Sequence, residues 1–119
     1  MNRFLRWLPS ILLMAGIFLL SSTPSQELPD FGFWDTLVKK GGHVLGYGLL
    51  ALSFWFAFGW DRRTVRLAFV LAALYALTDE FHQSFVPGRH PSWLDALVID
   101  NAGAALALLI FSWIKKRRE

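Results

Sequence analysis

The chain has no cysteine. Disulfide staples, thiolate nucleophiles and cysteine metal ligands are excluded, and redox compartment cannot be read from it. Charge is also scarce: 18% of residues are Asp, Glu, Lys or Arg, against 55% hydrophobic. There is no internal repeat and no low-complexity stretch. No basic–aromatic groove or nucleic-acid motif is present, so nucleic acid is not expected as a partner. The net charge of +3 comes from clusters at the chain ends and in one short loop, a distribution that fits membrane orientation better.

What the chain does have is apolar sequence in four blocks, about 4–22, 43–60, 64–85 and 93–114. Each approaches the ~20 residues needed to cross a bilayer core. The expected fold is all-α: one domain over residues 1–119, an integral membrane bundle of four transmembrane helices. The first block follows Arg3 and Arg6 and ends at Ser21-Ser22-Thr23-Pro24. It lacks a small-x-small cleavage site, so a retained helix is expected rather than a removed signal. Residues 23–42 are polar and punctuated by Pro and Gly, and read as a loop. Asp61-Arg62-Arg63 makes a tight second connection, and Pro87-Gly88 a turn in the third.

With four spans, both termini and the second connection share one side. That side carries nine basic residues: Arg3, Arg6, Arg62, Arg63, Arg66, Lys115, Lys116, Arg117 and Arg118. Lys39, Lys40 and Arg89 are the three on the other. The positive-inside rule therefore places both termini in the cytoplasm.

Polar residues then converge on the outer face. His43 opens the second block, Asp79, Glu80, His82 and Gln83 close the third, Arg89 lies in the turn, and Asp95 opens the fourth. Only eleven uninterrupted apolar residues, Leu67 to Leu77, precede the acids. The third helix must continue through Asp79–Gln83 to finish crossing, which puts the acids just below the outer headgroup boundary.

Ionisable groups at membrane depth line a site or pair with one another. Asp79 and Glu80 are ~100° apart around a helix, so both can point inward. Two carboxylates in low dielectric can split into an acid and a base. Asp79, Glu80 and His43 are the candidate catalytic residues. Tyr47, four residues after His43, suits a substrate oxygen. Arg89 and Lys40 suit a phosphate or carboxylate, with Gln83 and Asp95 completing the substrate-binding set. The plainer reading is a structural network in which Arg89 or Lys40 neutralises the acids. His43, His82 and His90 share this side with carboxylates, but no spacing matches H-E-x-x-H. No metal or other cofactor is expected. Gly42 and Gly46 form a small-xxx-small pair expected to pack closely. Ala96, Asp100, Gly103 and Ala107 form a second stripe, with Asp100 turned toward another helix.

The run Asp79-Glu80-Phe81-His82-Gln83-Ser84-Phe85-Val86-Pro87-Gly88-Arg89, followed by Asp95 and Asp100-Asn101-x-Gly103, resembles the VanZ-like family. Lys40-x-x-His43-x-x-x-Tyr47 and the first helix ending at Ser21-Ser22 before a proline fit as well. One departure is that the last two acids stand five apart here rather than four, which leaves Asp100 and Asn101 both open for that position. The resemblance implies a small multi-pass protein of the bacterial inner membrane. The family's namesake is associated with low-level resistance to the glycopeptide teicoplanin. Membrane lipids are the expected surroundings, with a lipid-linked or anionic envelope molecule as substrate. The alternative is a non-catalytic protein that binds a lipid or antibiotic or serves envelope assembly. A dimer would supply more helices, so a homo-oligomer stays open.

Overall fold

Proline at position 9 cannot donate to the carbonyl four residues back and crowds it. The chain accordingly opens with one helical turn, Arg3–Arg6, breaks at Trp7, and restarts as α1, Leu8–Ser22. The computed structural model describes residues 3–22, 32–85 and 96–118. Its remaining long elements are α2 (Asp35–Ala57), α3 (Val65–Gln83) and α4 (Asn101–Arg118). A short 3₁₀ turn, Gly32–Trp34, precedes α2, and a π-helical turn, Ala96–Asp100, precedes α4. The described residues are all-helical, with no strand.

Among the described residues one stretch, Val98–Arg118, is long and apolar enough to cross a membrane, with a mean hydropathy of 1.5. Val44–Ala57 is apolar but shorter.

The largest departure from the sequence reading is the start of α2. Residues 35–42 were expected in a loop, yet they are helical. An acidic residue type at the first position suits the positive end of the helix dipole. The two glycines Gly41 and Gly42 cost only ~1 kcal/mol each relative to alanine, too little to stop the helix.

The end of α2 is closed by a Schellman motif. The N–H of Gly59 bonds to the Phe56 carbonyl at 2.9 Å, and that of Trp60 to the Trp55 carbonyl at 3.0 Å. Gly59 takes φ +81° as this motif requires, and Trp60 follows at φ +60°. The Trp60 ring stands edge-on to Trp55, 5.0 Å between centroids. This apolar contact accompanies the motif. Asp61 then accepts from the Arg63 N–H at 3.0 Å and opens the turn Arg62–Thr64.

Arg6 locks the opening turn onto this end. Its guanidinium donates from Nε and Nη2 to the Phe56 carbonyl, at 3.2 and 3.0 Å, and lies 4.7 Å from the Phe56 ring centroid. A cation at a helix C-terminus is also favoured by the dipole. Arg6→Gln is expected to lower stability by about 1.5 kcal/mol, the low end for a bond to a charged group, since the residue is half-exposed. Unfolding in mixed micelles checks this; an unchanged midpoint would show that the contact contributes nothing.

The interior is filled by α2. It turns Tyr47, Leu50, Ala51, Phe54 and Trp55 inward at helical spacing. Facing them, α3 offers Ala68, Ala72 and Ala76, four apart on one side, and α4 offers Ala104 and Leu108. Helix α4 approaches α2 most closely at glycines. A Cβ on Gly48 would stand 3.2 Å from the Gly103 carbonyl oxygen and 3.3 Å from the Ala107 Cβ. A Cβ on Gly103 would strike the backbone of Val44, with Cα at 2.9 Å. The pairings 44 with 103 and 48 with 107 run in the same direction, so α2 and α4 are parallel. The expected Gly42 and Gly46 contact is corrected by this geometry: a Cβ at either meets nothing within 4 Å among the described residues. Gly103 and Ala107 of the second expected stripe do pack.

Candidate functional site

Asp79 and Glu80 end the alanine stripe of α3. They are 5% and 7% exposed, and Asp100, at the start of α4, is 5% exposed. A helical step of ~100° would send one of two neighbours to the surface in a two-helix contact. Here helices lie on both flanks of α3, and both acids go inside.

Tyr47 binds the cluster together. It is 1% exposed, and its hydroxyl donates to Asp79 Oδ2 at 3.2 Å. Asp100 lies within its electrostatic range. Tyr75, four residues before Asp79 on the same face of α3, has its ring centroid 6.4 Å from that of Tyr47. The Tyr75 hydroxyl donates to the Met14 carbonyl of α1 at 2.5 Å. Two tyrosines and the carboxylates of Asp79 and Asp100, from α2, α3 and the turn that precedes α4, thus form one cluster tied to α1, with Glu80 buried next to Asp79 in the chain. On the flank, His82 stacks on Phe18 of α1 with centroids 4.4 Å apart.

Of the residues singled out from the sequence, the structure brings together Tyr47 and Asp79, and it buries Glu80. Arg89 and Asp95 lie outside the described residues. For Lys40, His43 and Gln83 the helical backbone is described and the side chains are not. Tyr47 is the most interior member of the cluster. Sequence reasoning missed Tyr75, although its spacing of four from Asp79 was a usable signal. Among the described residues no group of three or more His, Asp or Glu is placed to share a metal ion.

Chemically, the cluster is rich in acceptors and holds hydroxyl donors that can move protons. Carboxylates in low dielectric polarise whatever polar group enters them. The fold and site therefore define an all-helical bundle with a polar cluster enclosed near one end. The chain belongs to the VanZ/LLP1 family, which it matches over residues 6–115, nearly its whole length. No curated protein and no solved structure matches it.

Proposed function

We propose that this is a multi-pass protein of the bacterial inner membrane, with four spans and both termini in the cytoplasm. Its acid–tyrosine cluster receives the polar head of an amphipathic envelope molecule, a phospholipid or a lipid-linked glycan. The observation that carries this reading is an inverted distribution of polarity. Asp79, Glu80, Asp100, Ser10 and Ser53 are buried, while Leu67, Val70, Leu74 and Phe81 of α3 and Leu106, Leu109 and Ile110 of α4 face outward. Water-soluble proteins do the reverse with carboxylates. Lipid makes the exposed leucines cheap, and small residues at the contacts suit helix association in a bilayer.

Lengths support the same reading. Helix α3, at 19 residues, spans about 28 Å, close to the ~30 Å hydrocarbon core. Depth is informative too. Counting from the Ala57 and Val65 ends, Tyr47 lies about 15 Å up α2 and Asp79 about 21 Å up α3. In this placement the cluster lies below the outer headgroup boundary. A substrate head would descend between helices to reach it.

In this reading Asp79 and Glu80 serve as acid and base with His43 as partner. Tyr47 orients Asp79 through its hydrogen bond. Arg89 and Lys40 hold an anionic group, and Gln83 and Asp95 position it. Native mass spectrometry of protein purified with its own lipids tests the assignment. Wild type is expected to carry a defined lipid-like species or its cleaved product. Glu80→Gln is expected to carry the species unmodified, and Arg89→Ala to lose it. Unmodified species in wild type as well would mean a binding protein, the reading that also covers an antibiotic-resistance role. Identical spectra for all three proteins would sink both.

A further inference from the structure

The end of the bundle opposite the acid cluster has a chemistry of its own. The opening turn Arg3–Arg6 is held there by Arg6 on Phe56. The turn Arg62–Thr64 follows directly from the closed end of α2. Because α4 runs parallel to α2 with Gly103 level with Val44 and Gly48, Lys115 falls twelve residues on, level with positions 56–60. The basic run Lys115–Arg118 therefore joins the other two segments. With Arg66 in the first turn of α3, nine cations meet at one end, and among the described residues Asp61 is the one acid there. That carboxylate already accepts from the Arg63 N–H.

The cations are interleaved with exposed apolar side chains. Phe4 is 84% exposed beside Arg3. Trp113 is 57% exposed, with the Arg117 guanidinium 5.0 Å from its ring centroid. A surface for a polyanion in water has no use for an exposed Phe and Trp at the same level as its cations. A surface at the headgroup level uses both, the rings against acyl chains and glycerol, the cations against phosphate.

We propose that this end is a binding surface for anionic phospholipid, and that it selects acidic over zwitterionic headgroups. The inference rests on the membrane placement above and is independent of what the acid cluster binds. Each cation near such a surface is worth about a fivefold change in affinity.

The experiment is lipid titration of the purified full-length protein in neutral detergent, read by native mass spectrometry. Phosphatidylglycerol and phosphatidylcholine of matched chains are the probes. Wild type is expected to bind phosphatidylglycerol at least tenfold more tightly, with the preference shrinking as salt rises. The pair Arg62→Gln and Arg63→Gln is expected to cut that affinity by roughly twenty-fold, and Lys116→Gln with Arg117→Gln to do likewise. Equal binding of the two lipids, or variants that keep the preference, overturns the proposal. So does displacement of the lipid by a short RNA, which would make the surface a nucleic-acid site. Glu80→Gln is expected to leave the preference intact. If it abolishes it, the anionic lipid is held at the acid cluster and the basic end is not its site.

Discussion

Asp79→Ala is expected to lower stability and to abolish function at the acid cluster. The substitution deprives the hydroxyl of Tyr47, a residue only 1% exposed, of its Asp79 acceptor. Losing a partner at a buried polar group costs about 1–3 kcal/mol. A double-mutant cycle separates this from the loss of the carboxylate itself. Tyr47→Phe and Asp79→Asn, alone and together, are expected to show a coupling on the order of 1.5 kcal/mol in mixed-micelle unfolding. Tyr47→Phe keeps the ring in place and should weaken substrate retention without eliminating it, while Asp79→Ala eliminates it. Additive effects in the cycle would mean that the hydrogen bond couples nothing. An Asp79→Ala protein that unfolds like wild type and retains the same lipid would remove this residue from both stability and function.

Gly103→Val is expected to be worse for the fold than any other single change considered. The obstacle to a side chain there is the Val44 backbone, which cannot rotate aside as a side chain would. Overpacking typically costs 1–3 kcal/mol, and a backbone obstacle puts this case at or above the top of that range. Separation of α4 from α2 also carries Asp100, three residues before Gly103, away from Tyr47, on which it acts electrostatically. Gly48→Ala, facing a carbonyl oxygen at 3.2 Å, is expected to be milder. Gly46→Ala has open space and is expected to stay within about 0.5 kcal/mol of wild type. Accumulation in the membrane and the unfolding midpoint check the order. A Gly103→Val protein as stable as the Gly46→Ala one would show that the two helices do not meet at this point.

These two cases mark where sequence reasoning stopped. Gly42 and Gly46 have the familiar spacing for helix association, and Gly48 has none with either of them on the same face. Spacing says which residues share a face; it does not say which face meets a neighbour. The helices are apolar nearly all round, so the periodicity that marks the buried side of a soluble helix was weak. The alanine stripe of α3 was invisible for that reason, since nothing distinguishes Ala68, Ala72 and Ala76 from the leucines between them except the company they keep. The start of α2 was misjudged because lysines and paired glycines look like a loop, while their summed cost is small beside that of leaving backbone groups unpaired.

Composition alone was enough for the helical class, and the motif running from Asp79 to Gly103 for the family resemblance. Apolar blocks of this length have few alternatives to helices, and charge costs too much at depth to be scattered. Which tyrosine reaches Asp79, and that Gly103 brings α4 against α2, were settled only by packing. Those facts depend on contacts between residues 32 to 61 positions apart, Tyr47 with Asp79 and Tyr75 with Met14. Such contacts are chosen by the fit of side-chain volumes across helices, a property of the assembled bundle and of no single stretch of chain.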